Sequence, residues 1–247
     1  MIIVKSEFEV ERMRESGRIA ASVRDRVAEK VGPGITTGEL GDFAAELIEG
    51  FGARSAFLGY RGYPGQICVS VNEAVVHGIP GKQMICIGDI VSIDVGVDFE
   101  GFIGDTALTV MVGVTDAAVI KLVDVTKQSL AAGISAAKAG NRLSDISYAI
   151  EQTVIKAGCS VVREFVGHGI GRSMHEDPQI PNFGPRGKGP KLTKGMTLAI
   201  EPMVNLGVCE VEVQEDGWTV LTKDRKPSCH FEHTVVVGDR GGEILTS

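Results

Sequence analysis

The chain has 247 residues, of which 43% are hydrophobic and 23% charged, so its composition is globular and excludes a disordered or collagen-like chain. Its net charge of −7 argues against a general nucleic-acid-binding protein, which would carry a basic face. It has no apolar run of ~18 residues to span a membrane, no signal-peptide pattern, and five cysteines without a CxxC pair, which favours the reducing cytoplasm.

Two helices are predicted in the first part of the chain. The capping box Ser6–Glu9 begins the first helix, and the Gly-Pro-Gly sequence at 32–34 ends it. The capping box Thr36–Glu39 begins the second helix, which Gly52 closes. Strand-like sequence then fills the stretch from about 57 to 112.

The same order of elements recurs in the second part of the chain. Thr115 begins a long helical stretch that reaches Gly140, a shorter helix ends at Gly158, and strands return after Val161. When the two parts of the sequence are aligned with Gly34 opposite Gly140, the apolar positions of the two shorter helices coincide.

A second alignment extends this repeat to the strands. With a shift of one further residue, the segment 88–94 matches the segment 195–201. The repeat predicts one α+β domain over residues 1–247, built from halves of about 1–113 and 114–247. Each half would carry two helices and antiparallel strands around a central site. Coincidence between two common α-β patterns is the alternative explanation.

A predicted hairpin in the first half carries two acidic residues. If Val97 pairs with Phe102 across a turn at 98–101, Asp94 lies directly opposite Asp105, with Cβ atoms ~5 Å apart. Opposed carboxylates repel each other unless a proton or a cation lies between them. A buried cation explains the pair, whereas a solvated face or a bulge is the alternative. The other face of the first strand is wholly apolar, which indicates that this strand is packed.

The repeat predicts two more acids at matching places. Glu201 falls on Asp94, and Glu232 is the counterpart of Asp105, on a strand that follows an inserted hairpin around Asp216. Two divalent ions that share bridging carboxylates would use four such acids well.

Three of the five histidines are candidates for the site. The five are His77, His168, His175, His230 and His233. His168 stands between two glycines, which would let its side chain approach a crowded centre. His230 and His233 flank Glu232 and are predicted to be structural or to support a ligand. The chain contains no HExxH, GxSxG or P-loop sequence, which excludes those chemistries.

Together these residues resemble a known family. Asp94, Asp105, His168, Glu201 and Glu232 resemble, in order, the five metal ligands of the pita-bread metallopeptidases. The flanking sequences resemble those of type I methionine aminopeptidases: LGYRGYP at 58–64, VNEAVVHGIP at 71–80, GHGIG at 167–171, HEDP at 175–178, IEP at 200–202 and DGW at 216–218. The chain lacks the extra domain of prolidase and the helical insert of the type II enzymes.

This resemblance implies a pita-bread fold and a cotranslational hydrolase that removes the initiator methionine when the second residue is small. Asp94 would bind one of two divalent ions, Asp105 and Glu232 would bridge both, and His168 and Glu201 would complete the other. Oxygen-rich ligation with one imidazole is more typical of Mn, Fe or Co than of a structural zinc site. The sequence does not identify the metal, so Co, Mn, Fe and Zn are all candidates for the two ions.

The resemblance also implies roles for residues around the metals. Glu201 would act as general base, His77 would lie near the scissile amide, and His175 would lie near the developing oxyanion. Tyr60, Tyr63, Cys68 and Trp218 would line an apolar pocket for the methionine side chain.

The expected partners are the N-termini of nascent polypeptides at the ribosome, for a cytoplasmic monomer that binds neither membranes nor specific nucleic acids. Two other classes of protein are also compatible with the sequence. One is a metal-free relative that serves as a binding module, and the other is a metal-free hydrolase of the creatinase type. Metal content and hydrolysis of a Met-Ala-Ser peptide distinguish these classes.

Overall fold

The computed structural model describes residues 1–247. The helices are α1 (Glu7–Lys30), α2 (Thr37–Gly50), α3 (Ala117–Ala136) and α4 (Leu143–Lys156), with a short 3-10 helix at Tyr60–Gly62. The strands are β1 (Arg54–Ser55), β2 (Cys68–Val71), β3 (Ala74–Val76), β4 (Ile90–Phe99), β5 (Phe102–Met111), β6 (Ser160–Val161), β7 (Gly167–Gly169), β8 (Glu176–Ile180), β9 (Thr197–Ile200), β10 (Met203–Asn205), β11 (Val211–Val213), β12 (Val220–Thr222), β13 (Ser228–His230), β14 (Glu232–Val237) and β15 (Gly242–Ile244). None of the four helices is both long and apolar enough to cross a membrane.

The two helices of the first half begin at the predicted capping residues. The Ser6 hydroxyl accepts from the Glu9 backbone N–H, and the Glu9 carboxylate accepts from the Ser6 N–H. Thr36 and Glu39 make the same reciprocal pair at α2. Each box satisfies two backbone donors that a helix start leaves open, so both predicted starts are confirmed.

The long helix of the second half is shorter than predicted. It begins at Ala117, after Asp116 caps the Ala118 N–H, and it ends at Ala136 rather than near Gly140. The side chain of Asn141 turns back to donate to the Ala136 carbonyl, which partners one of the carbonyls that the helix end leaves free.

The central sheet has nine strands, and every strand pair in the molecule is antiparallel. Its order is β1-β4-β5-β14-β9-β7-β8, with β2 beside β4 and β15 beside β14. The β4–β5 pair of one half therefore meets the β9–β14 pair of the other half where β5 contacts β14. This α+β arrangement has the two-part organisation that the sequence repeat predicts.

Each pair of helices covers the strands of its own half. Helix α1 packs on β4 and β5, and α2 packs on β1 and β2, whereas α3 contacts β9, β10 and β13 and α4 contacts β6 and β8. The predicted apolar face of β4 is buried in the core beneath α1 and α2, through Val91, Ile93, Val95 and Val97. This packing fixes which face of β4 is left for the polar site.

The predicted turn of the β4–β5 hairpin is wrong. Phe99 pairs with Phe102, so the loop contains only Glu100 and Gly101, with φ values of 53° and 79°. Two consecutive residues with positive φ form the tight turn whose twist matches that of the flanking strands. The expected four-residue turn at 98–101 therefore does not form.

The tighter turn moves the register of the hairpin by two residues. Asp94 pairs with Ala107, and Asp105 pairs with Gly96, so the two acids are diagonal neighbours and not directly opposed. Because side chains alternate along a strand, an even shift leaves both carboxylates on the same face of the sheet. The observed register thus differs from the predicted one in the relative position of Asp94 and Asp105, but both registers keep the two acids together.

Candidate active site

The five predicted metal-ligand residues lie on one face of the central sheet. Asp94 and Glu232 both pair with Ala107, one from each side of β5. His168 pairs with Ala199, which pairs with Thr234, and the Thr234 hydroxyl bonds the backbone of Asp105. Glu201 follows Ile200, the last paired residue of β9, and so lies beside Glu232. Ala107 and Ala199 lie between the ligands, and their small side chains leave the space that the carboxylates fill.

The glycines around His168 are required by close backbone packing. A Cβ atom on Gly167 would lie 2.4 Å from the carbonyl oxygen of Ala199, and one on Gly169 would lie 2.1 Å from that of Asp177. Real Cβ atoms do not approach so closely, so only glycine fits at either position. The GHG sequence therefore seats His168 in the crowded centre, as the sequence predicts.

The acid cluster contains carboxylate oxygens that no protein group satisfies. Oδ1 of Asp94, Oδ1 of Asp105 and Oε1 of Glu232 are buried and have no hydrogen-bond partner. The ligand atoms of Asp105, His168 and Glu232 lie within 4.8 Å of one another, and Nε2 of His168 is 3.4 Å from Oε1 of Glu201. Buried unpaired carboxylates are costly, and a divalent cation would supply the missing partner. The residues present therefore fit a metal site.

The electrostatics of the cluster point the same way. Burial raises the pKa of Asp94 to about 7. Burial and the neighbouring carboxylates raise the pKa values of Asp105, Glu201 and Glu232 well above their ordinary range. Burial lowers the pKa of His168 to about 3, so its imidazole is neutral. Bound cations would let these acids ionise together, which is the usual coupling of metal binding to proton release.

His168 is oriented as a metal-binding imidazole would be. Its Nδ1 lies 2.9 Å from the Gly169 carbonyl oxygen, which can only accept, so Nδ1 carries the proton. Nε2 then has a free lone pair, and it faces Glu201 and Asp105. Fixing the proton on one ring nitrogen in this way leaves the other free to bind a cation.

One cavity of about 330 Å³ adjoins the cluster and includes every residue assigned to the site from the sequence. They are Tyr60, Tyr63, Cys68, His77, Asp94, Asp105, His168, His175, Glu201, Trp218 and Glu232. The cavity also contains residues that have no role in the sequence-based prediction, namely Arg61, Val76, Glu164, Phe165, Val166, Gln179 and Met203. Phe165 stands edge-on to His77, with ring centroids 5.5 Å apart. Only its nearness to the GHG sequence could have indicated it.

Aromatic rings form the wall of the cavity away from the acids. Tyr63 is buried, its hydroxyl lies within hydrogen-bond distance of the backbone carbonyls of Ile67 and Gly78, and its ring meets Trp218 edge-on at 5.1 Å. The sequence places Tyr63 in a pocket wall rather than in the core, and the structure gives it both positions. Cys68 pairs with Asp94 and so faces the cavity.

The remaining histidines divide into two groups. His77, whose φ is 60°, packs against Phe165 and Trp218, and burial lowers its pKa to about 4. The His175 ring lies 4.2 Å from that of His168, measured between centroids. His230 and His233 do not line the cavity: His230 is buried without a partner for Nε2, and Nδ1 of His233 bonds Thr246.

Known proteins are similar to this chain over its whole length. Residues 11–239 match the model of metallopeptidase family M24. A methionine aminopeptidase from Clostridium perfringens is 51% identical over 100% of this chain and 99% of its own length. A methionine aminopeptidase 1 from Bacillus subtilis is 50% identical over the same shares.

Solved structures agree with these sequence matches. The crystal structure of a methionine aminopeptidase from Thermotoga maritima superposes with a TM-score of 0.98, at 46% identity and with all of both chains covered. A prolidase from Pyrococcus furiosus shares the fold, with a TM-score of 0.80 at 21% identity, and this chain spans 65% of its length. The predicted pita-bread fold is thereby confirmed. The chain belongs to metallopeptidase family M24 and, within it, to the methionine aminopeptidases.

Proposed function

We propose that this metal-dependent aminopeptidase uses two divalent ions, drawn from Co, Mn, Fe and Zn, to remove the initiator methionine from nascent chains whose second residue is small. One observation carries the proposal: the cavity joins a cluster of buried, unpaired carboxylate oxygens to an aromatic wall. The first feature suits hydrolysis, and the second suits an apolar side chain. The full-length relatives named methionine aminopeptidase support the same substrate.

Five side chains would hold the ions. Asp94, Asp105, His168, Glu201 and Glu232 would together supply the ligand atoms for both ions. When bound, divalent ions lower the pKa of a water molecule towards neutrality and polarise the scissile carbonyl. The unpaired oxygens of Asp94, Asp105 and Glu232 support this assignment, because each is buried without a hydrogen-bond partner.

Three further tasks fall to side chains of the chain itself. Glu201 would accept the proton of the attacking water, because its carboxylate lies within the acid cluster, beside His168 and Glu232. His77 would hold the substrate near the scissile amide. His175 would donate a hydrogen bond to the carbonyl oxygen as negative charge develops there.

The aromatic wall would select methionine. Tyr60, Tyr63 and Trp218 surround an apolar space that Cys68 closes from the sheet side. A thioether is flexible, and its sulfur gains ~0.3–1.5 kcal/mol from each aromatic contact, so methionine suits this wall. A branched or charged side chain would lose these contacts or would bury its charge.

The proposed setting is the cytoplasm, where a monomer would act on nascent chains at the ribosome. All five cysteines are free, which suits a reducing compartment. The two metal-free alternatives are less well supported, because they leave the buried carboxylate oxygens without partners.

Metal removal and replacement test the metal centre. We expect chelator-treated protein to take up about two Mn²⁺ per chain and to melt at a higher temperature when reloaded, because the unfolded chain lacks the site. A ligand at 100 times its Kd stabilises the folded state by about 2.7 kcal/mol. Asp94→Asn should reduce the stoichiometry, whereas the exposed Asp239→Asn should not. A protein that takes up no metal and melts unchanged would contradict the proposal.

Peptide hydrolysis tests the substrate. Metal-loaded protein should release methionine from Met-Ala-Ser and should cleave Leu-Ala-Ser and Lys-Ala-Ser far more slowly, as followed by chromatography of the free amino acids. Met-Phe-Ser serves as the control for the requirement that the second residue be small. Comparable rates for all four peptides would rule out the aromatic wall as the source of selectivity.

A further inference from the structure

Tyr60 and His175 make a direct contact across the rim of the cavity. Oη of Tyr60 lies 2.8 Å from Nδ1 of His175, and the two rings stack with centroids 5.3 Å apart and planes inclined by 22°. The residues are 115 positions apart in the chain, so only the fold brings them together. A hydrogen bond and a stacked ring together hold the imidazole in one orientation.

The backbone of the Tyr60 loop is built to fix this position. Gly59, Arg61 and Gly62 all have positive φ, at 78°, 50° and 89°. Four backbone hydrogen bonds close the loop, from the N–H groups of Gly59, Tyr60, Gly62 and Tyr63 to the carbonyls of Tyr63, Phe57, Gly59 and Tyr60, respectively. A non-glycine residue held at positive φ is a mark of local strain that the surrounding structure must support. The backbone of this loop therefore holds Tyr60 in one position at the rim of the cavity.

The partners available to each atom decide the direction of the hydrogen bond. Tyr60 Oη has no other hydrogen-bond partner in the protein, so Nδ1 is the one protein atom to which the phenol can donate. An imidazole that accepts a hydrogen bond at one ring nitrogen carries its proton on the other. With Nδ1 accepting, that proton resides on Nε2. Nε2 has no protein partner and is free to donate within the cavity.

We propose that Tyr60 is a positioning residue for methionine release: its hydroxyl donates to Nδ1 of His175 and so keeps the donor proton on Nε2. The inference rests on the proposed function, in which His175 donates to the carbonyl oxygen of the substrate. Without Tyr60, the imidazole divides between two tautomers and several orientations, and only part of the population presents a donor. Tyr60 thus acts through His175, and this role is additional to lining the methionine pocket.

Removing only the hydroxyl tests this role. Tyr60→Phe keeps the stacked ring and the apolar surface, so we expect kcat for Met-Ala-Ser to fall about 10–100-fold, the loss typical of removing a partner that orients a metal-binding side chain. The KM should change little, and so should the preference for Met-Ala-Ser over Leu-Ala-Ser. Tyr148→Phe is the matched control, because Tyr148 lies on α4 outside the cavity and should retain the wild-type kcat.

A double-mutant comparison separates positioning from lining the pocket. In a His175→Ala background, Tyr60→Phe should cause no further loss of kcat, because the residue on which it acts is gone. A tyrosine that merely lines the pocket would instead raise KM, weaken the preference for methionine, and add its effect to that of His175→Ala. Additive losses would overturn the inference.

Nuclear magnetic resonance provides a readout that does not depend on activity. Long-range ¹H–¹⁵N correlations of histidine-labelled protein, assigned with His175→Gln, should show His175 as the Nε2–H tautomer in the wild type and a mixture in Tyr60→Phe. An Nδ1–H tautomer in the wild type would overturn the inference, as would a Tyr60→Phe enzyme with unchanged kcat. Wild-type protein that fails to release methionine would instead overturn the proposed function, whatever tautomer the spectrum shows.

Discussion

Replacing His168 by alanine is expected to lower metal content and activity together. Its Nε2 lies 3.4 Å from Glu201 and 3.8 Å from Asp105, and its Nδ1 is bonded to the Gly169 carbonyl, so its free ring nitrogen faces the acid cluster. Loss of such a group weakens metal binding or activity by ~10–100-fold or more. Metal per chain after dialysis and kcat should be measured on the same sample.

His233→Ala provides the control for that experiment. His233 follows Glu232 in the chain but bonds Thr246 and lies outside the cavity. Its loss should cost about 1 kcal/mol of stability through the missing hydrogen bond and leave the metal content unchanged. A His168→Ala protein that keeps its full metal complement would show that His168 is not a ligand.

Replacing His175 by alanine should collapse kcat and leave metal and fold intact. The ring lines the cavity, 4.2 Å from the His168 ring, and is held by Tyr60, but it shares no hydrogen bond with the acid cluster. Removing one donor to a developing oxyanion costs ~10²–10³ in kcat, or roughly 3–4 kcal/mol. The loss should fall mainly on kcat, because the bond is strongest once charge has built up on oxygen.

Conservative variants and stability separate this role from a structural one. His175→Asn and His175→Gln should recover part of the rate, since either amide still donates a hydrogen bond. Metal content, melting temperature and kcat should be measured on one His175→Ala sample. A lower melting temperature with a nearly unchanged kcat per metal-loaded molecule would mean that His175 only packs its turn.

Several features follow from the sequence because they depend on neighbours a few residues apart. The capping boxes at Ser6 and Thr36 satisfy donors within one helical turn, so their residues determine both helix starts wherever the helix packs. The alternation along β4 determines which face is apolar, and hence that Asp94 points away from the core. The repeat and the resemblance indicate which acids belong together, because both rest on the order of residues.

Other features depend on the tertiary structure and could not be predicted from the sequence. The two-residue turn at Glu100 and Gly101 set the register of the β4–β5 hairpin, and it turned an expected opposed pair of acids into a diagonal one. The sequence does not distinguish these registers, because both place Asp94 and Asp105 on the same face. Turn geometry and the pairing of β5 with β14 select between them.

The chemistry of the site depends most on the tertiary structure. The unpaired oxygens of Asp94, Asp105 and Glu232 arise from three strands that bury one another's side chains, and burial is a property of the packed molecule rather than of any segment. The bond between Tyr60 and His175 joins two loops far apart in the chain. Local sequence specifies the elements and the residue types, whereas the distances that make those residues a site depend on long-range packing.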